Sequence, residues 1–254
     1  MTDTGARIRA LPTEPFVYDY PGAHDAVAYE LENRMADPDG RIEAFIETHA
    51  PLAGRIVVDV GAGGGYHAVR YAAQAAHVFA VEPAPRMLAQ LHRRVAGEPD
   101  AVAGRISVLA AGAEAIPLPD QSVDVVHSRL AYFFGPERAG VRSCEPGIDE
   151  VLRILRPGGH VFVVDHDLRE GDFAGFLREF GPAAGQPDLA DRLDAFWTAH
   201  GFAAVTVASE WRAPSRGALA RVIAMEFGDR APDVMARIDG ASFRCAFRIF
   251  HRVR

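Results

Sequence analysis

The residues best placed to do chemistry in this 254-residue chain fall in a few short segments. Val57-Val58-Asp59-Val60 reads as an apolar strand interrupted by one carboxylate, and it runs into the turn Gly61-Ala62-Gly63-Gly64-Gly65. A strand entering a glycine turn before a helix makes a nucleotide site, because backbone can approach a ligand where no Cβ intervenes. Asp59 narrows the choice of ligand. Beside a pyrophosphate its charge repels. Beside a ligand carrying an ammonium and a sulfonium it attracts, by roughly 4 kcal/mol for unit charges about 4 Å apart at an effective dielectric of 20. The dinucleotide fingerprint G-x-G-x-x-G/A also fails, because counting from Gly61 its last position falls on Tyr66. Glu82 ends a second apolar strand 21 residues after Gly61, where a carboxylate can accept hydrogen bonds from both ribose hydroxyls.

His166 stands between Asp165 and Asp167, just past a further apolar strand. An imidazole there could take a proton from a hydroxyl acceptor, since its ordinary pKa near 6.5 suits a general base. It also fits as a loop histidine satisfied by hydrogen bonds. The three residues do not read as a metal site: neighbours in extended chain point to opposite faces, so at most the two carboxylates converge. Cys144 is a lone thiol with no defined basic partner, so it is a poor nucleophile. Tyr132-Phe133-Phe134 suits core or acceptor pocket, and Tyr18, Tyr20 and Tyr29 suit either a cover over the ligand or helix packing. Trp197 and Trp211 are expected in the core or in lid packing.

Composition removes whole classes of mechanism. All 27 basic residues are arginine. Without lysine there is no Schiff base, no Walker lysine and no kinase lysine. A net charge of −7 argues against nucleic acid, which needs a basic face. The stretch 212–254 is the exception, with 9 Arg against 4 acids, and reads as a solvated basic face or a site for an anionic partner. No apolar run approaches the roughly 18–20 residues of a membrane span, and Met1 to Ala10 lacks an apolar leader. Two cysteines make no disulfide framework, so the expected location is a reducing cytoplasm.

These residues require a sheet to hold them. Strands are expected at 56–60, 77–81, 105–109, 123–127, 160–164, 203–211 and 242–252. Helices are expected at 23–35, after Pro38, at 67–76, 86–95 and 148–155, the last closed by Arg156-Pro157-Gly158-Gly159. Strands alternating with helices imply an α/β, doubly wound, mostly parallel seven-stranded sheet with helices on both faces. The strand 242–252 alternates Phe243, Cys245, Phe247 and Ile249 against Arg244 and Arg248, which suits an antiparallel edge. Further helices are expected at 173–180, 189–200, 215–227 and 232–238. One domain, 1–254, is the economical division: a helical cap over 1–50, a ligand-binding core over 51–165, and a helical insertion over 215–240 that could form a lid.

In combination, Asp59-Val60-Gly61-Ala62-Gly63-Gly64-Gly65, Val81-Glu82-Pro83 with Met87, Gly112 to Asp120, Val123-Asp124-Val125-Val126 and Leu155 to Gly159 resemble the class I S-adenosylmethionine-dependent methyltransferases. The resemblance covers roughly residues 50–165. It implies S-adenosylmethionine as cofactor, S-adenosylhomocysteine as product, and direct displacement of the methyl group by an acceptor. It also implies that Gly61, Ala62, Gly63 and Gly65 let the backbone pass along the methionine part, with Asp59 near its ammonium. Glu82 would hold the ribose, Pro83 and Met87 would flank the adenine, and Ala113 and Glu114 would meet its edge. His127 and Ser128 would lie beside the methionine end. Relatives often carry Asp where this chain has Gly112. The stretch His127 to Phe134 lacks the Asn/Asp-Pro-Pro-Tyr/Phe quartet of enzymes that methylate planar nitrogens, which disfavours nucleobases and glutamine amides. The expected function is methyl transfer to a small molecule, with no nucleic acid and no membrane, His166 as candidate base, and no reading of oligomeric state. The rivals are a regulatory protein that keeps the cofactor site without catalysis, and a nicotinamide-dependent oxidoreductase, which Asp59 and Tyr66 disfavour.

Overall fold

The computed structural model describes residues 14–254 except Asp19 and Ala139, so the polar stretch Met1 to Ala10 lies outside the described residues. Strand β1 (Ile56–Val60) is β-branched and buried, and it lies at the middle of the sheet between β2 (His77–Val81) and β4 (Val123–Arg129). Strand β3 (Ile106–Leu109) pairs with β2, and β5 (Leu155–His166) pairs with β4, all in parallel. Strands β6 (Ala203–Arg212) and β7 (Ser242–Val253) complete a seven-stranded sheet of order β3-β2-β1-β4-β5-β7-β6, with β7 antiparallel to both of its neighbours.

The chain order reverses between β1 and β4. Open α/β sheets bind ligands at such a switch point, beyond the carboxyl ends of the strands. Val60, Val81, Arg129 and His166 are the last residues of β1, β2, β4 and β5, so the chemistry-bearing segments share one edge.

Helices α1 (Ala26–Met35) and α2 (Arg41–His49) precede β1, and α3 (Tyr66–Ala72) and α4 (Pro85–Ala96) follow β1 and β2. A short α5 (Asp100–Ala103) leads to β3, and α6 (Glu145–Ile154) leads to β5. Helices α7 (Gly171–Phe180) and α8 (Leu189–Ala199) link β5 to β6. The link from β6 to β7 holds α9 (Arg216–Phe227) and α10 (Ala231–Met235).

Two expectations are corrected. The strand at 242–252 is not an edge: β7 lies between β5 and β6, and the edge is β6. Its alternation reflects one face against the helices and one bearing arginines, a pattern that an inner strand also shows when carboxylates receive the cations. The Arg156-Pro157-Gly158-Gly159 stop does not separate helix from strand by a loop. Leu155 already pairs with Val123, and the register then jumps, so that Val125 faces His160 and the Pro-Gly residues form a bulge.

The arginines of the basic stretch are largely paired. Arg212 meets Asp39, Arg221 meets Asp25, Arg244 meets Asp172 and Arg248 meets Asp194, while Arg216 donates to the carbonyls of Met235, Ile238 and Gly240. Trp197 and Trp211 are both fully buried in the core.

Candidate functional site

Beyond the ends of β1, β4 and β5 lies a cavity of about 370 Å³, within the usual size for a small-molecule site. Its floor on the β1 side is the glycine turn. Gly61 (φ +71°) and Gly63 (φ +53°) both adopt the left-handed conformation that glycine tolerates best. A Cβ on Gly63 would lie 2.2 Å from the Tyr29 hydroxyl, and one on Gly61 would lie 2.4 Å from the Ala131 Cβ. The turn therefore forms a cradle that side chains would fill. Gly65 (φ +81°) serves packing instead, since its Cβ would meet Leu91 Cδ1 at 2.4 Å where α4 crosses α3.

Glu82 organises this turn. Its Oε2 accepts a hydrogen bond from the Gly63 N–H at 2.9 Å, and its Oε1 accepts one from the Ala84 N–H at 2.8 Å. Burial raises the Glu82 carboxyl above its usual range, opposed by these two backbone donors. Asp59 is 3% exposed and lies with Oδ1 3.0 Å from His127 Nδ1. The other ring nitrogen of His127, Nε2, is buried without a hydrogen-bond partner among the described residues. Ser128 donates from Oγ to the Val60 carbonyl at 3.0 Å, which ties the end of β4 to the end of β1.

Asp59, Gly61, Ala62, Gly63, Glu82, Pro83, Met87, Ala113 and His166 all line the cavity. His127, Ser128, Glu114 and Gly65 are not among its lining residues and support it from behind. Glu114 accepts from the Phe16 N–H at 3.1 Å and lies 3.5 Å from Arg142, while its Oε2 is buried and unpartnered. A Cβ on Gly112 would lie 2.6 Å from both that Oε2 and the Pro15 Cβ, so a side chain at this position would have to displace these neighbours.

The second half of the cavity faces β5. His166 stacks on Phe247 and packs edge-on to Phe173; burial, and secondarily the field of Arg129, push its pKa down to about 3. Its Nδ1 has no hydrogen-bond partner among the described residues. Asp165 accepts from the His166 N–H at 2.7 Å, and burial raises its carboxyl to about 6. Asp167 points elsewhere, accepting from the Arg169 and Glu170 N–H groups and from Thr206. Among the described residues, no group of three His, Cys, Asp or Glu is placed to hold a metal ion. Cys144 is buried, and its pKa is pushed up to about 12, mainly by desolvation, so it is inert as a thiolate.

Several residues of this half escaped the sequence reading. Arg129 and Arg138 line it, and so do Glu32 and Glu226, which share the Tyr20 hydroxyl at 2.5 Å each. Leu177, Pro182, Ala183, Leu189 and Leu193 bring the α7–α8 link onto the cavity, whereas the insertion 215–240 reaches it only through Glu226. The breaks at Gly181-Pro182 and Gly185, just beyond the carboxyl edge of β5, were the available signal for that link. The loop after β4 carries Leu130 at φ +52° and Tyr132 at φ +23°, conformations that cost about 1–3 kcal/mol each and cluster at functional sites.

Comparisons with known proteins agree with this geometry. Residues 58–163 match the family described as a methyltransferase domain. An uncharacterized methyltransferase of Mycobacterium tuberculosis is 39% identical over 160 residues, 63% of this chain and 56% of that protein. A demethylmenaquinone methyltransferase of Clavibacter sepedonicus is 34% identical over 119 residues, 46% of this chain and 43% of the relative. The chain thus spans about half the length of these curated relatives. The crystal structure of the YcgJ protein from Bacillus subtilis superposes with TM-score 0.54 at 18% identity, covering 84% of this chain and 97% of that one, which shows a shared fold.

Proposed function

We propose that this chain, whose residues 58–163 match a methyltransferase-domain family, is a class I S-adenosylmethionine-dependent methyltransferase that methylates a small acceptor enclosed in the cavity. The observation that carries this reading is continuity: one cavity runs from the glycine cradle and Glu82 to His166 and the α7–α8 link. The residues present fit the cofactor, since the cradle at Gly61 and Gly63 admits no Cβ and a buried carboxylate stands at each of β1 and β2. Bound there, S-adenosylmethionine supplies an electrophilic methyl on a sulfonium.

The chain's own residues do the rest. Asp59, held by His127, meets the ammonium. Glu82 meets the ribose, Pro83 and Met87 flank the adenine, and Ala113 borders its edge, with Glu114 behind the lining. Ser128 fixes the ends of β1 and β4 relative to one another. His166, neutral at physiological pH, faces the acceptor. The N-terminal residues Phe16 and Tyr20 and the α7–α8 link exclude water and align the acceptor, which removes much of the entropic cost of transfer. The insertion 215–240 backs α1 and contributes to closure through Glu226. Two free buried thiols, Cys144 and Cys245, support a reducing, cytoplasmic setting. Among the described residues no helix is long and apolar enough to cross a membrane.

The relative named demethylmenaquinone methyltransferase supports a small-molecule acceptor. The test is calorimetry with S-adenosylhomocysteine and with NAD, followed by a mass-shift screen of small metabolites for gain of CH2. The expected result is binding of S-adenosylhomocysteine alone and at least one methylated product. Binding of NAD instead overturns the site. Cofactor binding with no product across the screen favours a regulatory protein.

A further inference from the structure

The acceptor half of the cavity presents guanidinium donors that the protein leaves unused. Arg129, the last residue of β4, lies with its guanidinium 4.8 Å over the Phe247 ring and makes no hydrogen bond or ion pair among the described residues. Two other half-buried arginines are fully engaged: Arg248 donates to both Asp194 oxygens and to Thr206, and Arg153 to Glu150, Asp120 and two carbonyls. Arg138 uses one nitrogen on the Phe134 carbonyl at 2.5 Å and has no carboxylate within salt-bridge reach among the described residues. A guanidinium carries five donors in a planar fork matched to an oxyanion.

The acidic groups nearby are already engaged: Glu43, held low against its burial by His67 and by the field of Arg129, faces His67 and Arg70. Tyr20 has one hydroxyl proton and bridges Glu32 and Glu226, so a second proton must reside on one of those carboxyls, and the trio carries at most a single negative charge. Burial raises both carboxyls, which favours that shared proton. Asp165, which burial raises to about 6 against the field of Arg138, remains an anion at neutral pH, but its Oδ1 is bound to the His166 N–H and, among the described residues, it makes no ion pair with Arg138. The remaining walls are mainly apolar, with Leu168, Leu177, Leu189 and Leu193 among them, and carry Asn33 and Tyr132 as polar groups. His166 is a poor base here, so an acceptor that must lose a proton gains little from it. An acid whose anion forms readily beside two cations needs no base.

Resting on the methyl-transfer reading above, we infer that the acceptor enters as an organic anion with an apolar body, its acidic oxygen held by Arg129 and Arg138. Such contacts are charge-assisted and strong in a partly dry cavity.

The test uses the full chain saturated with S-adenosylhomocysteine, whose own affinity is measured first. Failure of that step counts against the methyltransferase reading and not against this one. Octanoate and benzoate are then titrated calorimetrically beside octanamide, benzamide, octylamine and benzylamine. At least one carboxylate is expected to bind at millimolar concentration or tighter, at least tenfold more tightly than its amide and amine. Arg129→Gln and Arg138→Gln are each expected to weaken that carboxylate at least tenfold, with Arg129→Lys recovering part of the loss and S-adenosylhomocysteine affinity unchanged. If Arg129→Gln does not fold, Arg138→Gln, on a half-buried loop, carries the comparison. Amide or amine binding as tight as the carboxylate, no carboxylate binding in the millimolar range, or unchanged carboxylate affinity in the folded arginine variants overturns the inference.

Discussion

In the cofactor half of the cavity, most of the lining comes from short segments that follow β1, β2 and β3, where glycines leave backbone open and Glu82 is held by backbone N–H groups. In the acceptor half it comes from the N-terminal segment, α1, the ends of β4 and β5, the α7–α8 link and α9, and side chains make the contacts. Tyr20 meets Glu226 across 206 positions of sequence, whereas Glu82 meets Gly63 across 19. A site made by backbone in a local turn requires particular residues at fixed spacing. A site made by side chains from six elements accepts many residues at each position and changes with every loop. One fold can thus hold a constant cofactor beside a variable acceptor.

If that division is right, the largest losses follow from damage to the cradle. Gly63→Val places a branched side chain where the Tyr29 hydroxyl lies 2.2 Å from even a Cβ, at a φ of +53°. Loss of measurable S-adenosylhomocysteine binding by calorimetry is expected, with a cooperative thermal transition retained. Next comes Glu82→Ala. It removes a charge-assisted partner of the ribose and also frees the Gly63 and Ala84 N–H groups. A loss of about 1.5–3 kcal/mol, more than tenfold in affinity, is expected. Equal loss on substituting Leu193, which lines the acceptor half, would erase the distinction between the two halves.

The same contrast governs what could be read in advance. The order of elements and the mostly parallel sheet were legible, and Asp59, Gly61, Gly63 and Glu82, which line the cavity, could be singled out as candidates, because strand periodicity and turn chemistry are local. His127 and Ser128 were expected beside the methionine end, but the structure sets them behind the cavity lining, since Asp59–His127 depends on the parallel register of β1 with β4. Arg129 and Arg138 looked like ordinary charges, because nothing local says whether a carboxylate will face an arginine. The place of β7 inside the sheet was missed for the same reason: an alternating strand with arginines on one face suits an edge until the partner strand is known. The insertion at 215–240 drew attention by length, while the α7–α8 link, which lines more of the cavity, showed only its Gly-Pro breaks.

Acid should separate the halves by stability. Burial lowers His166 to about 3 and His67 to about 4. A histidine with a depressed folded pKa contributes stability that is fully present above its unfolded value near 6.5, and it is lost as pH falls toward the folded value. Below about pH 6.5, each of these residues is expected to lower the folding equilibrium constant by up to about tenfold per pH unit. Urea denaturation at pH 7.0 and pH 5.0 measures this. His166→Asn in the acceptor half and His67→Asn beside the cofactor half should each flatten the dependence. A slope unchanged in both variants would place the acid sensitivity outside the cavity.

The smallest effect is expected at Tyr20. Its hydroxyl bridges Glu32 on α1 and Glu226 on α9, so it joins the N-terminal segment to the insertion at the far wall of the acceptor half. Tyr20→Phe keeps the ring and its edge-on contact with Tyr29, at 5.7 Å between centroids, and removes only the bridging oxygen. The two carboxyls then face each other without the hydroxyl, but they can still share the proton that one of them carries. Most of the raised protonation survives, and a buried hydrogen-bond partner is lost at about 1–3 kcal/mol. Because the contact touches no cofactor-lining backbone, S-adenosylhomocysteine affinity should change less than threefold by calorimetry. The thermal midpoint should fall by a few degrees, on the order of 2–4 °C per kcal/mol for a domain of this size. Tyr20→Phe with Glu226→Gln should add little further loss, since both act through one network. A tenfold loss of cofactor affinity in Tyr20→Phe would show instead that the acceptor wall and the cradle move as one unit.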